Sequence, residues 1–127
     1  MPDKFLFEYA VVRIVPRVER EEFMNAGVVL YCAKQGFLQL KFKVDAKRIN
    51  ALCPLADVEE ICTYLQAFEQ ICLGNPTAGP IAQLPLAGRF RWLTATRSTI
   101  VQTSKVHPGL CTDAAEMLDK IFEQQVG

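Results

Sequence analysis

Lys4 to Val15, KFLFEYAVVRIV, is the stretch that decides the fold. Strand alternation puts Phe5, Phe7, Tyr9, Val11, Arg13 and Val15 on one face and Leu6, Glu8, Ala10, Val12 and Ile14 on the other. Both faces are mainly apolar. A strand with one wet face alternates apolar with polar residues, so this strand is expected at the centre of a sheet, covered on both sides for part of its length. Pro16 has no N–H to give a ladder and ends it.

The rest follows outward from that strand. Arg17 to Glu22 is a charged connector, a solvated turn or one helical turn, and Asn25-Ala26-Gly27 is a turn signal. Gly27 to Ala33, GVVLYCA, reads as a second strand. Lys34-Gln35-Gly36 then loops into Phe37 to Val44, where Leu38, Leu40, Phe42 and Val44 alternate with Gln39, Lys41 and Lys43. These two are expected to form an antiparallel hairpin. Asp45 to Cys53 reads as a short helix capped by Asp45 and stopped by Pro54. Asp57 caps a second helix, with Glu60 placed for a capping box. In it Val58, Ile61, Cys62, Leu65, Phe68 and Cys72 recur at helical spacing, and Gly74 and Pro76 close it.

Asn75 to Gly88 is an uncharged Pro/Gly loop whose Ile81, Leu84 and Leu86 are expected to pack on the domain or a partner. Arg89 to Ala95 reads as a strand with Phe90 and Trp92 opposing Arg89 and Arg91. Thr99 to Thr103 reads as a shorter strand, and His107-Pro108-Gly109 as a turn. Asp113 caps a last helix striped by Ala114, Met117, Leu118, Ile121 and Phe122. Strands that come in adjacent groups predict one α+β domain over residues 1–127: an antiparallel sheet of about five strands with three helices packed mainly on one face.

Bulk properties narrow the functional classes. The chain has 14 basic and 14 acidic residues, so it carries no global basic field for nucleic acid, and any anion site must be local. The five cysteines are odd in number, lack CxxC spacing and sit among apolar residues, as buried reduced thiols of a cytoplasmic protein do. With one histidine there is no zinc set, and no metal or cofactor is expected. Glu8 and Arg13 interrupt the early apolar run, so no secretory signal is read there, and Gln70 to Gly88 is too broken by Pro and Gly to cross a membrane. A cytoplasmic location is the expectation.

The chemistry concentrates in Arg89 to Gly109, RFRWLTATRSTIVQTSKVHPG, which holds the single Trp and the single His of the chain. Arg89 and Arg91, two apart on a strand, would project from one face and grip a phosphate or carboxylate, unless they form ordinary ion pairs. Arg97-Ser98-Thr99 would form an anion nest, or a polar loop that satisfies its own backbone. His107 would be a general base or a surface-turn histidine. Ser98, Ser104 and Cys111 are nucleophiles within its segment, but no GxSxG elbow accompanies them. Arg13 stands on an otherwise apolar strand face, which is costly unless the strand end is exposed or the cation has an acidic or ligand partner.

Two blocks, FEYAVVRIVPRVEREEFMNAGVVLYC and RFRWLTATRSTIVQTSKVHPGL, together resemble the bacterial DUF3037 family. The resemblance runs over nearly the whole chain. It marks Tyr9, Arg13, Pro16, Glu22, Asn25, Gly27, Arg97, Ser98, His107 and Gly109 as signature positions and brings no established activity with it. It implies a protein partner, with a HipA-like kinase as the one suggested.

The leading expectation is therefore a binding or regulatory module that uses Arg13, Asn25, Arg97, Ser98 and His107 to hold a partner protein or an anionic group. One alternative is a metal-independent enzyme acting on a phosphate ester or nucleotide, with Arg89, Arg91 and Arg97 on the anion and His107 moving a proton. Another is a nucleic-acid-binding accessory domain.

Overall fold

The doubly apolar strand lies in the middle. The computed structural model describes residues 4–97 and 99–127. In it β1 (Phe5–Ile14) is paired along one side with β2 (Met24–Cys32), which pairs in turn with β3 (Phe37–Phe42). Along its other side β1 pairs with β4 (Val101–Thr103) and then with β5 (His107–Cys111). All pairings are antiparallel. With helices α1 (Ala46–Leu52), α2 (Val58–Leu73), α3 (Leu86–Leu93) and α4 (Ala114–Gln125), the architecture is α+β: a five-stranded antiparallel sheet and four helices.

The sheet explains why β1 is apolar on both faces. Ala10, Val12 and Ile14 join Val29, Leu65 and Phe90 in a core under α1, α2 and α3. Phe7 joins Val28, Leu30, Leu118 and Ile121 in a second core under α4. Each fully buried Val, Leu or Ile adds roughly 1.5–3 kcal/mol, so the two cores are the main stabilising terms.

The helix starts are local and specific. Asp45, Asp57 and Asp113 each accept a hydrogen bond from a backbone N–H of the first turn, those of Arg48, Glu60 and Ala115, at 3.2, 3.1 and 3.0 Å. Gly74 ends α2 in the left-handed region, at φ 69°, where a β-carbon is disfavoured. The charged connector forms one 3-10 turn, Val18–Arg20.

Three segments depart from expectation. Residues 89–93 are helical, not extended. The Arg-Phe-Arg-Trp alternation spans only four residues, whereas Leu86, Phe90 and Leu93 repeat at i, i+4 and i+7 and pack that helix face on the first core. His107 to Cys111 is a strand, not a turn. Pro108 is tolerated on an edge strand, and Gly109 lets the Phe7 ring lie against the backbone, since a β-carbon there would sit 2.5 Å from Phe7 Cζ. One strand is lost and one gained, so the count stays at five. Asn25-Ala26-Gly27 lies inside β2 rather than turning. Val12 pairs with Gly27 and Arg13 with Asn25, which leaves Ala26 as the extra residue of a β-bulge.

The Pro/Gly loop packs on the domain in part. A 3-10 turn at Ile81–Gln83 buries Ala82, and Leu86 reaches the first core, but Leu84 stays exposed. All five cysteines are free thiols, with Cys32, Cys72 and Cys111 buried and Cys53 and Cys62 half-buried. Among the described residues no helix is long and apolar enough to cross a membrane.

Candidate functional site

The β-bulge sets the site. In a regular ladder Asn25 would face the first core. The extra residue resets the alternation, and Asn25 instead turns toward α4, where its Nδ2 donates to the Gln125 carbonyl at 3.1 Å. Helix α4 packs across β2 and β3. On that face Arg13 has Asn25 as its register neighbour on β2 and Gln102 as its neighbour on β4. Four residues back along β1, Tyr9 is paired with His107, ring centroids 5.3 Å apart.

Arg13 lines a cleft of about 270 Å³ with Val15, Val18, Glu21, Phe23 and Gln102. The guanidinium carbon lies 4.2 Å from the centroid of the Phe23 ring, itself 48% exposed. Arg13 Nε is buried and has no hydrogen-bond partner among the described residues, and the same holds for Asn25 Oδ1. Ion pairs among the described residues join Arg17 to Glu19, Arg20 to Glu22 and Lys41 to Asp119; Arg13 is in none of them. Gln102 is anchored by its Nε2, which donates to the Thr99 carbonyl at 2.9 Å. Glu21, at the rim, holds a left-handed backbone at φ 58° and its N–H closes the 3-10 turn onto Val18. Buried polar atoms are nearly always bonded, so an unmatched donor and an unmatched acceptor on cross-strand neighbours stand out.

Arg97 and Arg89 bond protein carbonyls, although Arg89 Nε, like that of Arg13, is buried and unbonded among the described residues. Arg97 lies over the rings of Trp92 and Phe68, 4.2 and 5.3 Å to the centroids, and its Nη2 donates to the Trp92 carbonyl. It closes the C-terminal end of α3 next to the first core, and burial holds its pKa below the ordinary arginine value. Arg89 Nη1 donates to the Cys72 carbonyl at 3.2 Å. Arg91, two residues on along a helix, points about 200° away from it and is exposed. The same-face arginine pair expected from a strand is thus replaced by two cations on different sides of α3.

Ser98 lies outside the described residues. Its neighbour Thr99 bonds its own loop, Oγ1 donating to the Val101 carbonyl at 2.7 Å. Ser104 is buried, and its hydroxyl accepts from the Val11 N–H and donates to the Lys105 carbonyl. The Cys111 thiol is pushed up by burial and then by nearby Cys32. His107 is exposed, with the Tyr9 ring beside it and no ion-paired carboxylate among the described residues. Among the described residues, no three His, Cys, Asp or Glu side chains are grouped to hold a metal ion.

A larger cleft, about 680 Å³, separates the Pro16–Glu22 connector from the α1–α2 link. Its cations Arg17 and Arg20 are matched by Glu19 and Glu22, and Asp57 and Glu60 line it as well. It is larger, but among the described residues its cations are paired and its unpaired charges are acidic.

The structure thus brings Arg13, Asn25 and His107 to one sheet face and places Arg97, Arg89 and Arg91 elsewhere. Phe23 and Gln102 were not foreseen. Phe23 carried one signal, a lone aromatic beside a charged connector. Gln102 carried none, because only strand register brings it to Arg13.

A model of the family described as Protein of unknown function (DUF3037) matches residues 9–126. No curated protein and no solved structure matches the chain.

Proposed function

The chain belongs to the DUF3037 family, and we propose that it is a binding or regulatory module of the bacterial cytoplasm that holds a partner through the Arg13 cleft. The observation that carries this reading is Arg13 itself, a cation with a buried, unbonded Nε beside an exposed Phe23. A buried N–H of a cation left without an acceptor lowers stability. An anionic group brought by a partner would offset that cost. Arginine beside an aromatic is also the composition of interface hot spots. Tyr9 and His107 extend the same face.

The reading of a metal-independent phosphoesterase has less support. Arg89 and Arg97 are held by protein carbonyls, and His107 has no ion-paired carboxylate among the described residues. The nucleic-acid reading needs several free cations on one surface, and the two cations of the connector, Arg17 and Arg20, are paired with Glu19 and Glu22. Affinity capture from lysate of the source organism tests the proposal. Partners retained by the parent and by Arg97→Ala, but lost with Arg13→Ala, are the expected result. Equal recovery by Arg13→Ala would remove the cleft from the interface.

A further inference from the structure

The chemistry around Arg13 discriminates between anions. Phosphate sites collect positive potential: several cations, a helix N-terminus, or a nest of backbone N–H groups. Here there is one guanidinium. The other polar side chains lining the cleft are one carboxylate, Glu21, and one amide, Gln102. Gln102 gives one of its two amide N–H groups to the Thr99 carbonyl, and its oxygen accepts no hydrogen bond among the described residues. Beside Arg13 on β2, Asn25 gives one N–H to the Gln125 carbonyl, and its buried oxygen is unbonded among the described residues. The Gln125 carbonyl belongs to the C-terminal end of α4, the negative end of that helix. A phosphate group carries about −1.5 to −2 charges, so it would meet this ring, with one guanidinium and the Glu21 carboxylate, unfavourably.

A planar monoanion with an N–H beside it meets the same ring favourably. Its oxygens match the guanidinium fork, and its N–H matches the Gln102 oxygen that lines the cleft. The cleft volume, about 270 Å³, is below that of a typical cofactor pocket and suits one residue of a peptide. The exposed Phe23 ring, already stacked on Arg13, gives that residue an apolar wall.

We infer that the Arg13 cleft recognises a peptide carboxylate with an N–H donor next to it, either a chain end or an acidic side chain, rather than a phosphate. This rests on the proposed binding role of the cleft and specifies what it takes.

The Arg13 Nε–H is buried and is therefore a suitable NMR reporter. The full-length ¹⁵N-labelled protein is titrated separately with N-acetylglycine, N-acetylaspartate amide, acetate and inorganic phosphate. The Arg13 Nε resonance should move with the first two, with acetate about threefold to tenfold weaker for lack of the N–H. N-acetylglycine binding tighter than N-acetylaspartate amide would identify a chain end, and the reverse an acidic side chain. Gln102→Glu, which supplies Arg13 with an internal carboxylate, should abolish the response while the rest of the spectrum keeps its dispersion. Arg13→Lys keeps the charge but loses the fork, so perturbations of the surrounding backbone amides should weaken about tenfold or more.

A response to phosphate with the carboxylates silent would overturn the carboxylate assignment and leave an anion-binding cleft standing. Silence to all four probes in the folded protein, together with partner capture that depends on Arg13, would also overturn the assignment but leave the interface. Silence together with Arg13-independent capture would remove both.

Discussion

Ser104 and Val11 are bonded to each other twice: the Ser104 N–H donates to the Val11 carbonyl, and the Val11 N–H donates to Ser104 Oγ, each at 2.8 Å. The pair sits where β1 passes from β4 to β5, and a side-chain oxygen takes the place of a strand carbonyl there. The hydroxyl also donates to Lys105. Ser104→Ala should leave the buried Val11 N–H unmatched and lower unfolding free energy by about 1–3 kcal/mol. Urea denaturation measures this; an unchanged midpoint would mean that water enters the gap.

Arg97 and Arg13 should separate stability from binding. Arg97→Ala removes a cation stacked on Trp92 and the cap of α3, and should cost about 1–2 kcal/mol. Arg13→Ala removes a cation with no ion pair among the described residues and only an exposed ring, Phe23, beside it, and should stay within about 1 kcal/mol of the parent. Chemical denaturation of both variants checks the split, and a large loss with Arg13→Ala would assign that residue to the fold.

Cys72 predicts a pH dependence. Burial, opposed by Arg89 and reinforced by Glu69, pushes its thiol from 9.0 to about 12. The unfolded chain releases this proton near 9 and the folded chain keeps it, so above that pH the unfolded state binds fewer protons. Stability should therefore be flat in this contribution below about pH 8 and fall from about pH 9 upward, by at most about 1.4 kcal/mol per pH unit. Denaturation of the parent and of Cys72→Ala between pH 8 and 10 isolates it: the variant should show the shallower decline.

Gly27 sits where β2 meets β3 closely. A β-carbon there would lie 2.5 Å from the Lys41 carbonyl oxygen and 2.8 Å from Phe42 Cβ. Gly27→Ala has to part the two strands and should cost about 1–3 kcal/mol. Thermal unfolding reports the loss, and an unaltered transition would show that the strands yield without cost.

What could be read from the sequence was what is local. Asp45, Asp57, Asp113 and Gly74 mark their helix ends within a turn of themselves, and all four do so in the structure. β1 announced its central place because burial on two faces leaves two apolar faces. Helix α3 was obscured because its stripe starts at Leu86, inside a segment that reads as loop. The candidate site was half legible. Arg13 stood out as a cation among apolar neighbours. Asn25 was marked by the family resemblance, but its place beside Arg13 depends on an extra residue that reverses which way the chain faces, and Gln102 went unmarked because it arrives by pairing with a distant strand.

The pairing of β1 has a consequence for the chain during its synthesis. Its β2 side can zip as soon as residues 24–32 emerge, but β4 and β5 are made last, at residues 101–111. At about 5–20 residues per second, a ten-residue strand rich in Val, Ile and Phe waits on the order of 5–20 s with one edge bare. Ribosome-bound chains ending near the close of α3 are thus nascent species suited to a holdase chaperone. Release from it should coincide with the arrival of Val101 to Cys111, which complete the sheet from the far end of the chain.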